Sequence, residues 1–274
     1  MTTGASDYEL SLRNAAQHLR QARKIAVFTG AGVSAESGIG TFRDDNDGLW
    51  TRFPPERFAN WDSLLRIAME TPHRAAEFFV ALIEPMVAAQ PNPAHRAIAR
   101  LESRALVTVI TQNIDALHEA SGSRAVHAVH GSLYETVYLD GAERGPVSRE
   151  VVAGVVAALR PLCDEGAAFE ALLAVVEPLM GADARGPYRP KIVLFGDQLA
   201  EPEWMLAQEA AQDCELMISI GTSGTVYPAA MLPDMARSAG ATVIGVDPQR
   251  VDADIWLAGA AATVLLALVA AAYG

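Results

Sequence analysis

The sequence predicts an α/β fold built on a doubly wound parallel sheet, and three observations lead to this prediction. Short apolar runs rich in Val and Ile recur along the chain, as KIAVFTG, ALVTVITQN, KIVLFGD, ELMISIGTS and ATVIGVD. Helical segments lie between several of them, for example over 203–213 and 229–239. Glycine or a polar residue ends each run, at the carboxyl edge where such sheets bind their ligands.

Two further segments, 48–93 and 132–190, do not fit the sheet pattern. The first is helical in character and rich in aromatic residues. The second contains REVVAGVVAALRPLCDEG and AAFEALLAVVEPLMG, two helical stretches around turns rich in Gly, Pro and Arg. We interpret both segments as excursions that build a second, smaller and mostly helical lobe.

The chain ends in an uncharged stretch over 255–274, IWLAGAAATVLLALVAAAYG. Its length alone permits a membrane span. Its alanine and glycine content, and the lack of flanking Lys or Arg, favour a buried strand followed by a terminal helix.

Composition and charge narrow the class of protein. The 274 residues are 51% apolar and carry a formal net charge of -12, which argues against binding to nucleic acids or anionic membranes. Cys163 and Cys214 are too few for a disulfide framework. The N-terminal residues lack the apolar segment of a secretory signal, so we expect a cytoplasmic protein.

The glycine-rich loop after the first apolar run is a weak nucleotide signal by itself. Gly30 and Gly32 follow a predicted strand, where small residues let backbone N–H groups approach a phosphate. The third glycine of the dinucleotide fingerprint is replaced by Ala35, and no second strand with a terminal acidic residue follows. A nicotinamide dehydrogenase is therefore disfavoured. Asp247 ends a later strand and is either a ribose ligand or a turn residue before Pro248.

Taken together, the motifs resemble the sirtuin family, the NAD-consuming lysine deacylases. The resemblance rests on GAGVSAESGIGTFRD, GLW, TQNIDALH, HG, PKIVLFGDQL, GTSGTVYPA and the terminal GAAATVL, which occur in the family's order. It implies one catalytic domain over 1–274. The Rossmann-type lobe would span about 20–45, 96–131 and 190–274, and the small lobe about 46–95 and 132–189.

The resemblance also implies the reaction and the residues that hold the nucleotide. NAD would be consumed as a co-substrate, the acyl group of a lysine on a protein or peptide would pass to ADP-ribose, and nicotinamide would leave. Asp115 would hydrogen-bond the carboxamide, Phe42 would shield the reactive face, and Arg43 would lie near the phosphates. The full set of implied NAD-binding residues is Gly30, Ala31, Gly32, Ser34, Thr41, Phe42, Arg43, Gln112, Asn113, Asp115, Gly221, Thr222, Ser223, Asp247 and Ala261.

His130 is the general base that the resemblance implies, with Asn113 as a second catalytic residue. An imidazole titrates near neutral pH and can take a proton from a ribose hydroxyl without a large pKa shift. His118 and His127 are nearby competitors, but only His130 matches the HG motif.

The acyl-lysine peptide is expected to pair, as an extended strand, between two segments of the chain. The implied substrate-binding residues are Val193, Phe195, Gly196, Gly224 and Val226. For Phe195, packing in the core is an equally weighted alternative.

Two departures from the family pattern carry predictions. The family's two C-x-x-C pairs, which bind zinc, are absent between HG and FGD, where Cys163 stands alone. Because tetrahedral zinc needs four ligands, we predict a zinc-free small lobe held by apolar helices over 151–159 and 169–176. Family members that prefer acidic acyl groups carry a Tyr and an Arg where this chain has Phe79 and Leu82, so acetyl or a longer apolar acyl group is favoured over succinyl.

Two alternatives to deacylation stay open at this point. The chain could transfer ADP-ribose to protein side chains or hydrolyse NAD, or it could be an NAD-sensing interaction module without turnover. The oligomeric state and the identity of the protein substrate are not predicted.

Overall fold

The computed structural model describes residues 3–40 and 48–274. A six-stranded parallel sheet forms its centre, with the strands in the spatial order β3-β2-β1-β8-β9-β10. Its strands are β1 (Lys24–Thr29), β2 (Leu106–Thr111), β3 (Val126–Ala128), β8 (Leu216–Ile220), β9 (Thr242–Asp247) and β10 (Ile255–Ala258). This order is that of the Rossmann fold, and it places the topological switch point between β1 and β8.

Helices cover both faces of this sheet. One face packs against α1 (Thr3–Gln21), α6 (Pro93–Leu101) and α12 (Ala261–Tyr273), and the other against α10 (Glu203–Asp213) and α11 (Leu232–Ser238). The strands are buried on both sides, which explains why they read as continuous apolar runs. The terminal stretch is a strand followed by a helix, as predicted, and no helix in the described residues is long and apolar enough to span a membrane.

A second, four-stranded antiparallel sheet lies among the remaining helices, with the order β5-β4-β7-β6. Its strands are β4 (Gly131–Tyr138), β5 (Glu143–Pro146), β6 (Gly181–Asp183) and β7 (Gly186–Ile192). The helices are α2 (Leu49–Arg52), α3 (Pro55–Phe58), α4 (Trp61–Glu70), α5 (Pro72–Ala88), α7 (Leu117–Ala120), α8 (Arg149–Leu159) and α9 (Phe169–Val176). Apolar side chains of α4, α5, α8 and α9 share one core.

The small sheet corrects one part of the sequence interpretation. KIVLFGD was expected to be a strand of the parallel sheet, but Lys191 and Ile192 end β7, which pairs antiparallel with β4. The residues from Val193 to Asp197 follow β7 as a loop. A short apolar run does not reveal which sheet it joins, because both kinds of buried strand give the same pattern.

Candidate functional site

The switch point between β1 and β8 is built from three glycines. A Cβ atom on Gly30 would lie 2.7 Å from the carbonyl oxygen of Gly221, and one on Gly32 would lie 2.6 Å from the Cα atom of Gly221. Gly221 has a φ of +59°, in the left-handed region that favours glycine. The turn after β1 and the turn after β8 can therefore pass this close to each other only because the residues at the contact have no side chain.

The backbone amides of Gly30 and Gly32 make hydrogen bonds within the protein, and this changes the role that we give these glycines. Gly30 N donates to the carbonyl of Ile220 (3.1 Å), and Gly32 N donates to that of Gly221 (3.0 Å). These two N–H groups are thus committed to backbone acceptors, whereas the sequence analysis assigned them to a phosphate. The glycines instead allow the turns after β1 and β8 to approach each other closely at the carboxyl edge of the sheet, which we call the rim.

Beside these three glycines, three polar side chains form one hydrogen-bonded group. Ser34 Oγ donates to Asp115 Oδ2 (2.7 Å), and Asn113 Nδ2 donates to Ser34 Oγ (3.1 Å) and to the carbonyl of Gly30 (3.2 Å). Asp115 Oδ1 accepts from the amide of Leu117 (3.0 Å). Burial raises the pKa of the Asp115 carboxyl, while these hydrogen bonds and Arg149 act in the opposite direction.

Two buried histidines lie behind this group. His95 Nε2 lies 3.4 Å from Ser34 Oγ, and His118 Nε2 lies 3.0 Å from Thr29 Oγ1, which donates to Thr111 Oγ1 (2.8 Å). Burial lowers the pKa of His95 to about 4 and that of His118 to about 3, so both rings are neutral at pH 7. His118 is only 1% exposed, so its ring has no access to a bound substrate, whereas the ring of His130 is only partly buried.

His130 lies between β3 and β4, and its ring is only partly buried. Its Nδ1 atom is 3.0 Å from the carbonyl oxygen of Gln112. Because a carbonyl can only accept, Nδ1 carries the proton and Nε2 is left as the basic nitrogen of the neutral ring. Burial lowers the pKa of His130, with the Gln112 bond opposing it, so this neutral form prevails at pH 7.

Gly131 explains why glycine follows this histidine. Its φ is +77°, and a Cβ atom there would lie 1.7 Å from the carbonyl oxygen of Lys191 on β7. In addition, the carbonyl of His130 accepts from the amide of Val193 (3.0 Å). The base is therefore joined directly through the backbone to residues 193–196, which contain the predicted peptide-binding residues after β7 and which we call the substrate segment.

The predicted adenosine-side residues lie at the ends of β8 and β9. Thr222 is buried, and Ser223 is exposed with its Oγ 2.8 Å from Thr225 Oγ1. Asp247 is partly buried, and its Oδ1 accepts from the amide of Gln249 (2.8 Å). Burial raises the pKa of the Asp247 carboxyl. Asp247 can therefore both stabilise the turn and bind a ribose hydroxyl, since only one of its two carboxylate oxygens makes the hydrogen bond within the turn.

One residue at this rim was missed by the sequence analysis. Glu36 Oε2 accepts from the amide of Ala262 (2.7 Å) in the first turn of α12, next to the predicted ligand Ala261. A carboxylate at this position stabilises the helix N-terminus. The only sequence signal was an acidic residue inside a glycine-rich loop, with nothing to indicate a partner so far along the chain.

The predicted peptide-binding residues occupy an exposed surface. Phe195 is 50% exposed, which excludes the core-packing alternative, and Gly196 has a φ of +96°. Gly224 is exposed with open space around its Cα atom, and Val226 is partly buried. Thr41, Phe42 and Arg43, which the sequence analysis assigned to NAD, lie outside the described residues.

An apolar cavity of about 50 Å³ adjoins the substrate segment, because Ile192 and Leu194 on either side of Val193 both line it. Phe79 and Leu82 of α5 also lie on its wall. Its remaining lining residues are equally apolar: Trp61, Leu64, Phe78, Ile83, Leu133, Val155, Leu159, Val176, Leu179, Met180 and Pro190.

The polar groups of the rim fit a dinucleotide with a carboxamide and ribose hydroxyls. Asn113, Ser34 and Asp115 offer amide, hydroxyl and carboxylate groups, and Asp247 offers a carboxylate oxygen at the far end. The structure shows no comparable set of metal ligands: within residues 3–40 and 48–274, no group of three or more His, Cys, Asp or Glu is placed to hold a metal ion.

Comparison with known proteins gives concordant results. A sequence model of the Sir2 family matches residues 30–228. An NAD-dependent protein deacylase of Mycobacterium tuberculosis is 40% identical over 227 residues, covering 82% of this chain and 86% of the relative. One from Pseudomonas putida is 37% identical over 266 residues, covering 95% and 94%.

Solved structures agree with the sequence comparisons. A structure from work on the mechanism and regulation of Sir2 enzymes superposes with a TM-score of 0.76 at 36% identity, covering 96% of this chain and 98% of the other. The structure of Sir2Af2 bound to a myristoylated histone peptide gives a TM-score of 0.70 at 31% identity, covering 96% and 97%. The resemblance inferred from the motifs is confirmed.

Proposed function

The chain belongs to the Sir2 family and is an NAD-dependent protein deacylase, and from that premise we propose that His130 is its general base and that its acyl site takes uncharged, apolar groups. The observation that carries the first proposal is the contact between His130 Nδ1 and the Gln112 carbonyl. It fixes the tautomer that a base requires.

When bound, NAD supplies the ribose that receives the acyl group and the nicotinamide that leaves. His130 contributes a basic Nε2 atom, which takes the proton from a ribose hydroxyl. Nδ1 keeps its proton and donates it in a hydrogen bond to the Gln112 carbonyl, so the ring keeps its orientation while Nε2 changes its protonation state. A lowered pKa keeps the base unprotonated at neutral pH.

Asn113 and Asp115 have a positioning role in this proposal. Their side chains are held by Ser34, so the amide and the carboxylate face the rim in one fixed arrangement. Asp115 is buried, and a buried carboxylate with partners on both oxygens has little freedom to move. This rigidity supports selective binding of the nicotinamide carboxamide.

Replacing His130 tests the assignment of the base. We expect His130→Ala to lower the rate of peptide-dependent acyl transfer by roughly 10²–10⁴-fold, the usual contribution of a positioned base. His127→Ala is the matched control, because His127 is half-buried on the adjoining strand and has no assigned role. Unfolding temperatures of both variants should match the wild type. A rate of acyl transfer in His130→Ala equal to that of the wild type would refute the assignment.

The apolar cavity supports the proposed acyl preference. All of its lining residues are apolar, so a succinyl carboxylate would lose its hydration there without gaining a partner. Each additional CH₂ group of an acyl chain buried in such a site contributes about 0.8 kcal/mol. A butyryl group should therefore bind roughly tenfold more tightly than acetyl.

An acyl series on one peptide tests this preference. We expect KM to fall from acetyl to butyryl, and succinyl-peptide to be turned over least. In Leu82→Arg, KM for butyryl-peptide should no longer be lower than KM for acetyl-peptide, because the substitution places a charged side chain in the cavity wall. Leu65→Arg is the control, since Leu65 is 55% exposed on α4. Equal KM values across the series would contradict the proposal.

We also propose that the small lobe folds without zinc. A cluster on the small sheet supports this: the Arg144 guanidinium lies 3.7 Å from the Tyr188 ring centroid, and Arg185 lies 4.3 Å from that of Tyr138. Asp183 Oδ2 accepts from Tyr138 Oη (3.0 Å) and Arg144 Nε (3.1 Å). These contacts join all four strands of the sheet, so they can stabilise it as metal ligands otherwise would.

Metal analysis tests the zinc proposal directly. Protein purified from zinc-containing medium should carry far less than one zinc per chain, and a chelator should leave its unfolding temperature unchanged. Stoichiometric zinc, or a large decrease in unfolding temperature with chelator, would overturn it.

A further inference from the structure

We propose that Asp197, Trp61 and Arg189 position the segment that binds the acyl-lysine peptide, and that Asp197 thereby sets the affinity for peptide without affecting that for NAD. We call these three residues the Asp197 clamp. The proposal rests on the deacylase function, because it concerns how the peptide substrate is held. It adds Asp197 and Arg189, which line neither the rim nor the cavity, to the substrate machinery, and it gives Trp61 of the cavity wall a second role.

Asp197 connects two parts of the chain through one oxygen atom. Its Oδ2 accepts from the amide of Leu194 (3.1 Å), inside the substrate segment, and from Trp61 Nε1 (2.9 Å) on α4. Arg189 Nη2 lies 3.8 Å from the same oxygen. A carboxylate that accepts two N–H groups near a guanidinium makes strong, directional bonds.

Arg189 completes the clamp from the side of β7. Its Nη1 atom donates to the carbonyls of Ile192 (2.9 Å) and Pro190 (3.3 Å), and its guanidinium lies 4.7 Å from the centroid of the Trp61 ring. The residues leading into the substrate segment are thus held by the same cation that faces Asp197. The side chains of Arg189 and Asp197 are only 26% and 27% exposed, which limits solvent screening of the pair.

A second set of bonds fixes the next residue. The amide of Phe195 donates to the carbonyl of Ala59 (2.8 Å), and Asn60 Nδ2 donates to the carbonyl of Phe195 (3.3 Å). At its other end the segment begins at Val193, whose amide bonds the carbonyl of His130. The segment is therefore held in place between the general base and α4.

This arrangement predicts an effect on peptide binding alone. The clamp residues belong to α4, β7 and the loop after it, and none follows β1, β2, β8 or β9, where most of the predicted NAD-binding residues lie. Without Asp197, the amide of Leu194 and Trp61 Nε1 lose their common acceptor, and the segment is held only by the bonds at Val193 and Phe195, which leaves it less ordered. A segment that pairs with a peptide must be ordered beforehand, or the free energy of binding is reduced by the cost of ordering it.

Substitution of Asp197 tests the proposal. For Asp197→Ala we expect roughly tenfold weaker binding of an acetyl-lysine peptide, measured as Kd by fluorescence anisotropy, a change equivalent to about 1.4 kcal/mol. KM for peptide should rise similarly, while KM for NAD and kcat change less than twofold. Asp197→Asn should fall between Asp197→Ala and the wild type, because the amide keeps one acceptor oxygen.

Asp254→Ala is the matched control for Asp197→Ala, because the Asp254 carboxylate also accepts from a backbone amide and lies near an arginine. Asp254 Oδ2 accepts from the amide of Val243 (2.7 Å), and Asp254 Oδ1 lies 3.3 Å from Arg237 Nε, at the amino-terminal end of β9. Asp254→Ala should leave peptide affinity unchanged even where it lowers stability.

Trp61→Phe provides an independent variant, because it removes the N–H donor and keeps an aromatic ring beside Arg189. Combined with Asp197→Ala, it should weaken peptide binding by less than the product of the single effects. Wild-type peptide affinity in Asp197→Ala, or an equal loss of affinity for peptide and NAD, would overturn the proposal. Wild-type protein that binds the peptide without deacylating it would instead contradict the deacylase function, and the binding comparison would still decide this proposal.

Discussion

The two buried histidines predict a steep loss of stability in mild acid. The pKa values of His95 and His118 are lowered from 6.5 to about 4 and about 3, so below pH 6.5 the unfolded chain binds protons that the folded chain does not. Stability therefore falls as the pH decreases from 6.5 towards 4. At pH 5 each histidine should cost about 2 kcal/mol relative to pH 7.5, or roughly 4 kcal/mol together.

That cost is a large part of the 5–15 kcal/mol that stabilises a typical domain. Burial also lowers the pKa of His130 and His127, which adds to the loss in acid, whereas it raises the pKa of Asp115 and Glu119, which opposes it. A single substitution separates the contribution of one histidine. His118→Gln removes a titrating group and keeps a side chain that donates and accepts hydrogen bonds.

The assay is urea unfolding at pH 7.5, 6.0 and 5.0 for the wild type and the variant. The wild type should lose several kcal/mol between the extremes, and His118→Gln should lose about 2 kcal/mol less, whatever its absolute stability. Parallel curves for the two proteins would refute the reasoning, because they would show that His118 binds the same number of protons in both states.

Three other substitutions have expected outcomes that stability measurements can check. Gly131→Ala should lower the unfolding temperature far more than Gly141→Ala, since both positions have positive φ but only the first would clash with a carbonyl of β7; similar decreases would contradict this. Glu36→Ala should cost about 1 kcal/mol in urea unfolding by removing the acceptor at the first turn of α12. Arg149→Met should cost about 2 kcal/mol, because the guanidinium donates to three carbonyls at the end of α5. An unchanged free energy of unfolding in either variant would show that its hydrogen bonds contribute nothing net.

Much of the parallel sheet could be predicted from local sequence. Its strands are short apolar runs, and the terminal strand and helix followed from an uncharged stretch too rich in alanine for a membrane span. The location of the site followed from the same logic, because polar residues at carboxyl ends of parallel strands meet at one edge. The individual NAD-binding residues came from the resemblance to the family. His130 could be singled out only through the family's motif order.

The rest depends on contacts between distant parts of the chain. The small antiparallel sheet was not anticipated, since β5 (ERGP) and β7 (GPYRPKI) are rich in Gly, Pro and Arg, and Gly and Pro normally indicate turns. The bonds of Glu36 to α12 and of Trp61 to Asp197 join residues 226 and 136 positions apart. No periodicity or propensity in either segment reveals such a partner.

The central claim is that His130 presents a basic Nε2 atom because its Nδ1 proton is held by the Gln112 carbonyl. Nitrogen-15 NMR of the histidine side chains, followed from pH 4 to pH 8, measures this directly. We expect that at neutral pH the Nδ1 atom of His130 carries the proton, that Nε2 does not, and that the ring titrates below 6.5. A proton on Nε2 of the neutral ring, or titration above 6.5, would contradict it.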